Sequence, residues 1–154
     1  IHTFGSRSMT VFRASGSVAW DSGDDLEQMT AALYPANFNA SHDANTRDAR
    51  STSKGPEPEA LTVAELEGRT YAFLGLERIG GIVVYDVTNP RSPEMLSYQN
   101  DRDFAGTPSA GTAGDLGPEG ILFIDACDSP NGEPLLVVSN EVSGSVTVYQ
   151  IDVD

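Results

Sequence analysis

Six acidic residues in this sequence have the chemistry of calcium ligands, and four of them lie at related positions. Glu119 follows Glu59 by 60 residues, and Glu141 follows Glu77 by 64. Two carboxylates about 4 Å apart repel by roughly 4 kcal/mol at an effective dielectric near 20, so several need a counter-charge. Hard carboxylate and carbonyl oxygens suit Ca²⁺. The candidate ligands are Glu57, Glu59, Glu77, Asp115, Glu119 and Glu141.

A structural explanation of the same acids stays open beside the metal hypothesis. Each glutamate could accept N–H bonds from the Gly-containing turns at 80–81 and 143–144, or pair with a nearby cation. The cations available for such pairs are Arg50, Lys54, Arg78 and Arg102. Zinc is disfavoured, because His2 and His42 are isolated and Cys127 has no partner cysteine.

The acids belong to a sequence unit that occurs twice. One copy opens with 55–61 (GPEPEAL) and the other with 115–121 (DLGPEGI), and their endings at 76–85 and 140–149 also correspond. A period of about 60 residues built from short β-type runs is typical of propeller blades. Antiparallel pairing within a blade would set Glu59 beside Glu77 and Glu119 beside Glu141, on one face near the central channel.

The strand pattern predicts an all-β chain that forms about two and a half blades of a β-propeller. Two short strands and a helix near 23–33 come first, and the strands of the two repeats follow at 60–66, 69–76, 81–87, 94–99, 120–126, 134–140 and 145–151. Loss of period-2 alternation predicts sheets that are covered on both faces. The predicted organisation is a blade end with helix (1–34), a long loop (35–58), a four-stranded blade (59–99), a loop (100–118) and a last blade without its outer strand (119–154).

Because the last predicted blade lacks its outer strand, we expect another segment to pair with its edge. Propellers need about four to eight blades, so this chain cannot close a ring by itself. We expect the edge at 145–151 to be covered by the remainder of the propeller, which is either N-terminal blades or another chain. The sequence starts at Ile1 with neither an initiator methionine nor a signal sequence, which indicates an upstream segment that was removed or lies elsewhere.

Composition excludes several classes of function. The 23 acidic residues outnumber the 9 basic residues and give a net charge of -14, which disfavours nucleic-acid binding and favours cations. No apolar run approaches the roughly 20 residues of a membrane span. Cys127 is the only cysteine, so no disulfide forms within the chain. The sequence contains no Gly-x-Ser-x-Gly elbow and no Walker loop.

Several motifs resemble the choice-of-anchor I family across nearly the whole chain. These motifs are 5–12 (GSRSMTVF), 50–51 (RS), 54–59 (KGPEPE), 76–81 (LERIGG), 100–104 (NDRDF), 114–120 (GDLGPEG) and 139–144 (SNEVSG). The resemblance implies a propeller of about seven blades and a secreted, periplasmic or cell-surface location. Some members of this family carry an alkaline-phosphatase label.

Two functions follow as hypotheses. The first is an extracellular binding or adhesion scaffold that calcium rigidifies, with the loops at 35–58 and 100–118 as its recognition surface. The alternative is a metal-dependent phosphoesterase, in which a metal-bound water attacks and Arg50, Lys54 or Arg102 hold the phosphate oxygens. The residues identify no ligand or substrate.

Overall fold

The computed structural model describes residues 7–153, which form three antiparallel sheets and one α-helix. Residues 1–6 and 154 lie outside this part, and with them His2 and the start of the motif at 5–12. In chain order the elements are β1 (Thr10–Phe12), β2 (Val18–Asp21), α1 (Asp25–Leu33), β3 (Pro58–Leu66), β4 (Arg69–Leu76), β5 (Ile82–Asp86), β6 (Glu94–Gln99), a 3-10 helix (Pro108–Ala110), β7 (Pro118–Ile124), β8 (Leu135–Asn140) and β9 (Ser145–Gln150).

Strands that are neighbours in sequence are also neighbours in each sheet. The first sheet pairs β1 with β2, the central sheet has the order β3-β4-β5-β6, and the third sheet has the order β7-β8-β9. This confirms the all-β prediction, and every predicted strand lies within two residues of an observed one. No sheet in the described part of the chain closes into a barrel, and no described strand pairs with the outer edge of β9.

The predicted helix is present, and hydrogen bonds of Ser22 connect its start to β1. The side chain of Asp24 makes no capping hydrogen bond. Instead, the buried Ser22 accepts the Met9 N–H with its hydroxyl (2.9 Å) and the Asp25 N–H with its carbonyl (3.0 Å). Ser22 therefore ties the helix to the start of β1. Between residues 7 and 153, no helix has the length and apolar character needed to cross a membrane.

Apolar clusters cover both faces of the central sheet, as the loss of alternation predicted. On one face, Met9 and Leu26 pack with Leu74 and Val83, and Trp20 meets Tyr85 edge to face at 5.7 Å. On the other face, side chains of the central sheet pack against the third sheet. This second cluster includes Ala64, Leu66, Tyr71, Phe73, Ile82, Leu136 and Val138, with Val84, Ile121, Phe123 and Tyr149 packed against it.

Gly75 of the central sheet lies close to Pro118 and Ile121 of the third sheet, and it provides a test of their packing. A Cβ at this position would lie 3.2 Å from the Cβ of Ala60 and 3.3 Å from that of Pro118. We expect Gly75→Val to lower the free energy of unfolding by about 1–3 kcal/mol, because the extra methyl groups overpack the interface. Chemical denaturation measures this effect.

Gly75→Ala is the graded control, since its single Cβ requires shifts of only a few tenths of an ångström. Its cost should be smaller than that of Gly75→Val. If both variants are as stable as the parent chain, the two sheets do not pack as described.

Candidate functional site

Each repeat carries a β-bulge near the start of its first strand. The β3–β4 register shifts between Pro58 and Leu61, and the β7–β8 register shifts between Pro118 and Gly120. The extra residue in β7 is Glu119, and the bulge in β3 includes Glu59. Bulges redirect side chains and are common next to functional sites. Sequence alternation does not reveal them, and the predicted strands accordingly began two residues too late, at 60 and 120.

Glu57 has a left-handed backbone conformation. Its counterpart in the second repeat has the same conformation but is a glycine. The φ angle is 51° at Glu57 and 72° at Gly117. Both residues make the same backbone contact, since the Glu57 carbonyl accepts the Glu77 N–H (2.9 Å) and the Gly117 carbonyl accepts the Glu141 N–H (2.7 Å). A non-glycine residue at this position is strained by about 1–2 kcal/mol, so other contacts must hold Glu57 in place.

Three cations hold the Glu57 carboxylate, whose side chain is 1% exposed. Lys54 Nζ lies 2.9 Å and Arg78 Nε lies 3.0 Å from Oε2, while Arg50 Nη2 donates to Oε1. Burial alone would raise the pKa of Glu57. The hydrogen bonds from Lys54, Glu77 and Arg50 outweigh burial and lower this pKa. The structural alternative from the sequence therefore describes the surroundings of Glu57 well.

Glu77 lies beside this ion-pair group and has a different environment. Its Oε1 is 3.0 Å from Arg78 Nη2 and 3.2 Å from His42 Nδ1. Burial is the largest cause that raises the pKa of Glu77, to about 8, and hydrogen bonding to Glu57 acts in the same direction. Burial and the nearby Arg78 charge lower the pKa of His42, which favours a neutral ring. Arg78 Nη1 lies 2.8 Å from the ring nitrogens.

Glu57, Glu59 and Glu77 lie close together. The proximity of Glu59 to Glu77 agrees with the prediction from the sequence. One carboxylate oxygen from each lies within 4.8 Å of the others, and Glu59 is the exposed member of the group. We call these three residues the glutamate cluster. Three carboxylates in such proximity offer the oxygen donors that a divalent cation requires, although Glu57 already has three cationic partners.

Glu119 and Glu141 extend the acidic surface onto the third sheet. The pKa of Glu119 is raised by burial, then by the charges of Glu141 and Glu59, and also by a hydrogen bond with Glu141. The predicted proximity of Glu119 to Glu141 is therefore present. Asp115 has other partners, because it accepts hydrogen bonds from the hydroxyls of Ser145 (2.6 Å) and Thr147.

The three candidate phosphate-binding cations have unlike surroundings. Arg50 and Lys54 lie at the glutamate cluster through their contacts with Glu57. Arg102 is buried, stacks over the Phe104 ring at 4.6 Å, and is surrounded by oxygen acceptors. Its guanidinium donates to the carbonyls of Arg78 (2.9 Å), Ser41 (2.9 Å), Ala44 (3.2 Å) and Ile79 (3.4 Å) and to Asn45 Oδ1 (2.8 Å).

Sequence reasoning missed His42, which it treated as isolated. The residue is contributed by the irregular segment between α1 and β3 and contacts Glu77 and Arg78 more than 30 residues later in the chain. No periodicity or motif links such distant positions. The one available signal was the exceptional polarity of the loop at 35–58, which indicated function without indicating a contact.

Comparison with known proteins identifies a family and two named relatives. The choice-of-anchor I domain matches residues 1–90. Gigasin-3a of Magallana gigas is 32% identical over 98% of this chain and 57% of its own length. The mesenchyme-specific cell surface glycoprotein of Strongylocentrotus purpuratus is 29% identical over 56% of this chain and 13% of its own length. The chain thus spans little more than half of the first relative and a small part of the second. No solved structure matches the chain.

Proposed function

The chain belongs to the choice-of-anchor I family, and from that premise we propose that it is part of a secreted or surface-associated β-propeller that acts as a binding or adhesion scaffold. In this proposal, the glutamate cluster binds Ca²⁺. The cation joins β3, the turn after β4 and the long loop before β3, and thereby stabilises the loop face on which recognition takes place.

The surface-associated part of the proposal is supported by the similar proteins. One relative is by name a cell surface glycoprotein. Three consecutive antiparallel sheets, two of them built from copies of one repeat, support the propeller. The acidic net charge of -14 fits a protein that works among cations and away from nucleic acid.

The observation that carries the calcium site is the convergence of three carboxylates within 4.8 Å. All donors are hard oxygens, which suit Ca²⁺ better than transition metals. The Arg50, Lys54 and Arg78 side chains balance charge mainly at Glu57. Glu59 and Glu77 are therefore the carboxylates that gain most from a cation, and Glu119 and Glu141 add negative potential beside them.

The contacts of Arg102 favour the scaffold over the phosphoesterase alternative. A phosphate-binding arginine needs free N–H donors, whereas the Nη1 and Nη2 donors of Arg102 point to backbone carbonyls and to Asn45. Arg50 and Lys54 remain near the cluster, and both already contact Glu57. A phosphatase assay of the protein with and without Ca²⁺ separates the two functions, and the scaffold predicts no metal-dependent hydrolysis.

Calcium should raise the thermal midpoint of chelator-treated protein by several degrees. A ligand that binds only the folded state adds about 2.7 kcal/mol at a hundredfold excess over Kd. We expect Glu59→Gln combined with Glu77→Gln to remove most of this response, because each substitution replaces a carboxyl group that would bind the cation by an amide. Melting curves and calorimetric titration with Ca²⁺ measure the effect, and Mg²⁺ tests its selectivity.

Glu65→Gln is the matched control, since Glu65 is an exposed glutamate of the same strand β3. It should leave the calcium response unchanged. Superimposable melting curves in chelator and in Ca²⁺ would show that the glutamate cluster is a purely structural ion-pair group.

A further inference from the structure

The turn between β7 and β8 contains Asn131 followed by Gly132, and nowhere else in the sequence does a glycine follow an asparagine. Both residues are exposed. The spacing between the two repeats increases from 60 residues at their first glutamates to 64 at their second, and this turn holds the four extra residues. The proposed function uses none of its side chains.

The side-chain carbonyl oxygen of Asn131 accepts two hydrogen bonds within the turn. The Ser129 hydroxyl donates to Oδ1 at 2.9 Å, and the Glu133 N–H donates to the same atom at 3.2 Å. The second bond forms an Asx turn, which folds the side-chain amide back along the backbone. The amide carbon Cγ is thereby held toward the peptide bond that joins Asn131 to Gly132.

The backbone nitrogen of Gly132 is accessible. Its φ angle is 77°, and among the described residues no heavy atom beyond its chain neighbours lies within 4 Å of the place where a Cβ would stand. The Gly132 N–H lies 3.4 Å from the Ser129 carbonyl oxygen, which is long for a hydrogen bond. Glycine also has no side chain that would hinder the approach of its nitrogen to Cγ.

We propose that Asn131 is a site of self-catalysed deamidation. The Gly132 nitrogen loses its proton to water and attacks Cγ of Asn131, so that a C–N bond forms and negative charge develops on Oδ1. The Ser129 hydroxyl and the Glu133 N–H stabilise this charge, as the donors of an oxyanion hole do. Nδ2 takes up a proton and leaves as ammonia, and the product is a succinimide ring.

Hydrolysis of the succinimide completes the reaction. Water opens the ring at Cγ to give an aspartate at position 131, or at the main-chain carbonyl carbon to give an isoaspartate, whose backbone is longer by one methylene group. The sum consumes one water and releases one ammonia, and nothing is oxidised or reduced. The modified turn gains a negative charge close to the acidic residues Asp128 and Glu133.

The other asparagines lack at least one of these features and serve as internal references. Asn89 precedes Pro90, which has no N–H to react. Asn39 and Asn140 are buried, with 0% and 5% exposure. The remaining asparagines are followed by residues whose side chains hinder the backbone nitrogen, and they are Asn37, Asn45 and Asn100.

The deamidation site is remote from the acidic surface. Glu119 and Glu141 lie at one end of β7 and β8, whereas the turn lies at the other end, about 20 Å away along seven residues of strand. The inference therefore does not depend on the calcium site. A deamidated sample should give the same calcium response as a fresh sample.

Incubation of the intact protein at neutral pH and physiological temperature, followed by peptide mapping in a mass spectrometer, tests the inference. We expect position 131 to convert from amide to acid about tenfold or more faster than Asn45. Ser129→Ala should slow the conversion about threefold to tenfold, which is less than for a buried oxyanion hole because water competes. Ser92→Ala, in the exposed β5–β6 turn, is the matched control and should leave the rate unchanged.

Two outcomes would overturn the inference. Conversion at position 131 that is no faster than at Asn45 means that the folded turn protects the amide. Equal rates in the parent chain and in Ser129→Ala mean that the hydroxyl does not assist the reaction, so the turn is not self-catalysing. All these positions are exposed, and an unchanged circular dichroism spectrum shows that each variant is folded.

Discussion

Arg102→Ala is expected to lower the free energy of unfolding by about 3–5 kcal/mol, one of the largest single-residue effects in this chain. The buried guanidinium donates hydrogen bonds to several carbonyl oxygens, including two in the segment between α1 and β3. It joins the carbonyls of Ser41 and Ala44 to that of Arg78 in the turn after β4. Removal of the side chain leaves several carbonyls without a donor and also removes the contact with Phe104. Urea denaturation measures the loss.

Arg102→Lys and Arg91→Ala are the informative comparisons. Burial lowers the pKa of Arg102 to about 10, so the guanidinium remains charged at neutral pH. Lysine keeps the positive charge but lacks the planar guanidinium with its several N–H donors, so Arg102→Lys should recover only part of the lost stability. Arg91 is exposed in the β5–β6 turn, so its replacement should change stability by less than about 0.5 kcal/mol. A comparably small effect at Arg102 would mean that water satisfies the carbonyls.

Glu57→Ala is expected to destabilise the chain by about 2–4 kcal/mol in the presence of a chelator. Without the carboxylate, Arg50 and Lys54 lose the ion pair with Glu57 and Arg78 keeps only its contact with Glu77, and removal of one partner of a buried ion pair is costly. The three cations keep some exposure to water, which places the expected loss below the largest values for fully buried pairs. Chemical denaturation in chelator separates this effect from cation binding.

Glu57→Gly separates the stability contribution of the Glu57 side chain from that of its backbone conformation. Glycine usually destabilises a fold relative to alanine, but at a φ of 51° it should be about 1 kcal/mol more stable than Glu57→Ala. Glu65→Ala, at an exposed position of the adjoining strand β3, is the control and should be nearly neutral. If the glycine variant is the less stable of the two, the left-handed conformation at Glu57 carries no strain.

The strands were predictable because burial dictates their sequence pattern. β4 and β5 are apolar on both faces, which a sheet covered on both sides requires, and Gly68 marks the turn before β4. The proximity of Glu59 to Glu77 followed from antiparallel pairing alone. The bulges were not predictable in this way, because one extra residue changes the direction of a side chain without any change in composition.

The environment of the glutamate cluster was only partly predictable. The sequence indicated which cations were available, but it could not assign three of them to Glu57 or place His42 beside Glu77. Those contacts depend on the path of an irregular loop, which hydrogen bonds between distant residues determine. The sequence also grouped Asp115 with the ligands, and in the structure Asp115 accepts hydrogen bonds from two hydroxyls of β9.

The order of the strands has a consequence for how the chain reaches this fold. Every pairing inside a sheet joins strands that follow each other directly, so each sheet closes only short loops and can form from local sequence. Long-range organisation is needed where the sheets pack on one another and where the loop after α1 meets the turns after β4 and β6. Folding of each sheet should therefore be fast and modular, and packing of the sheets together with docking of this loop around Arg102 should make the units cooperate.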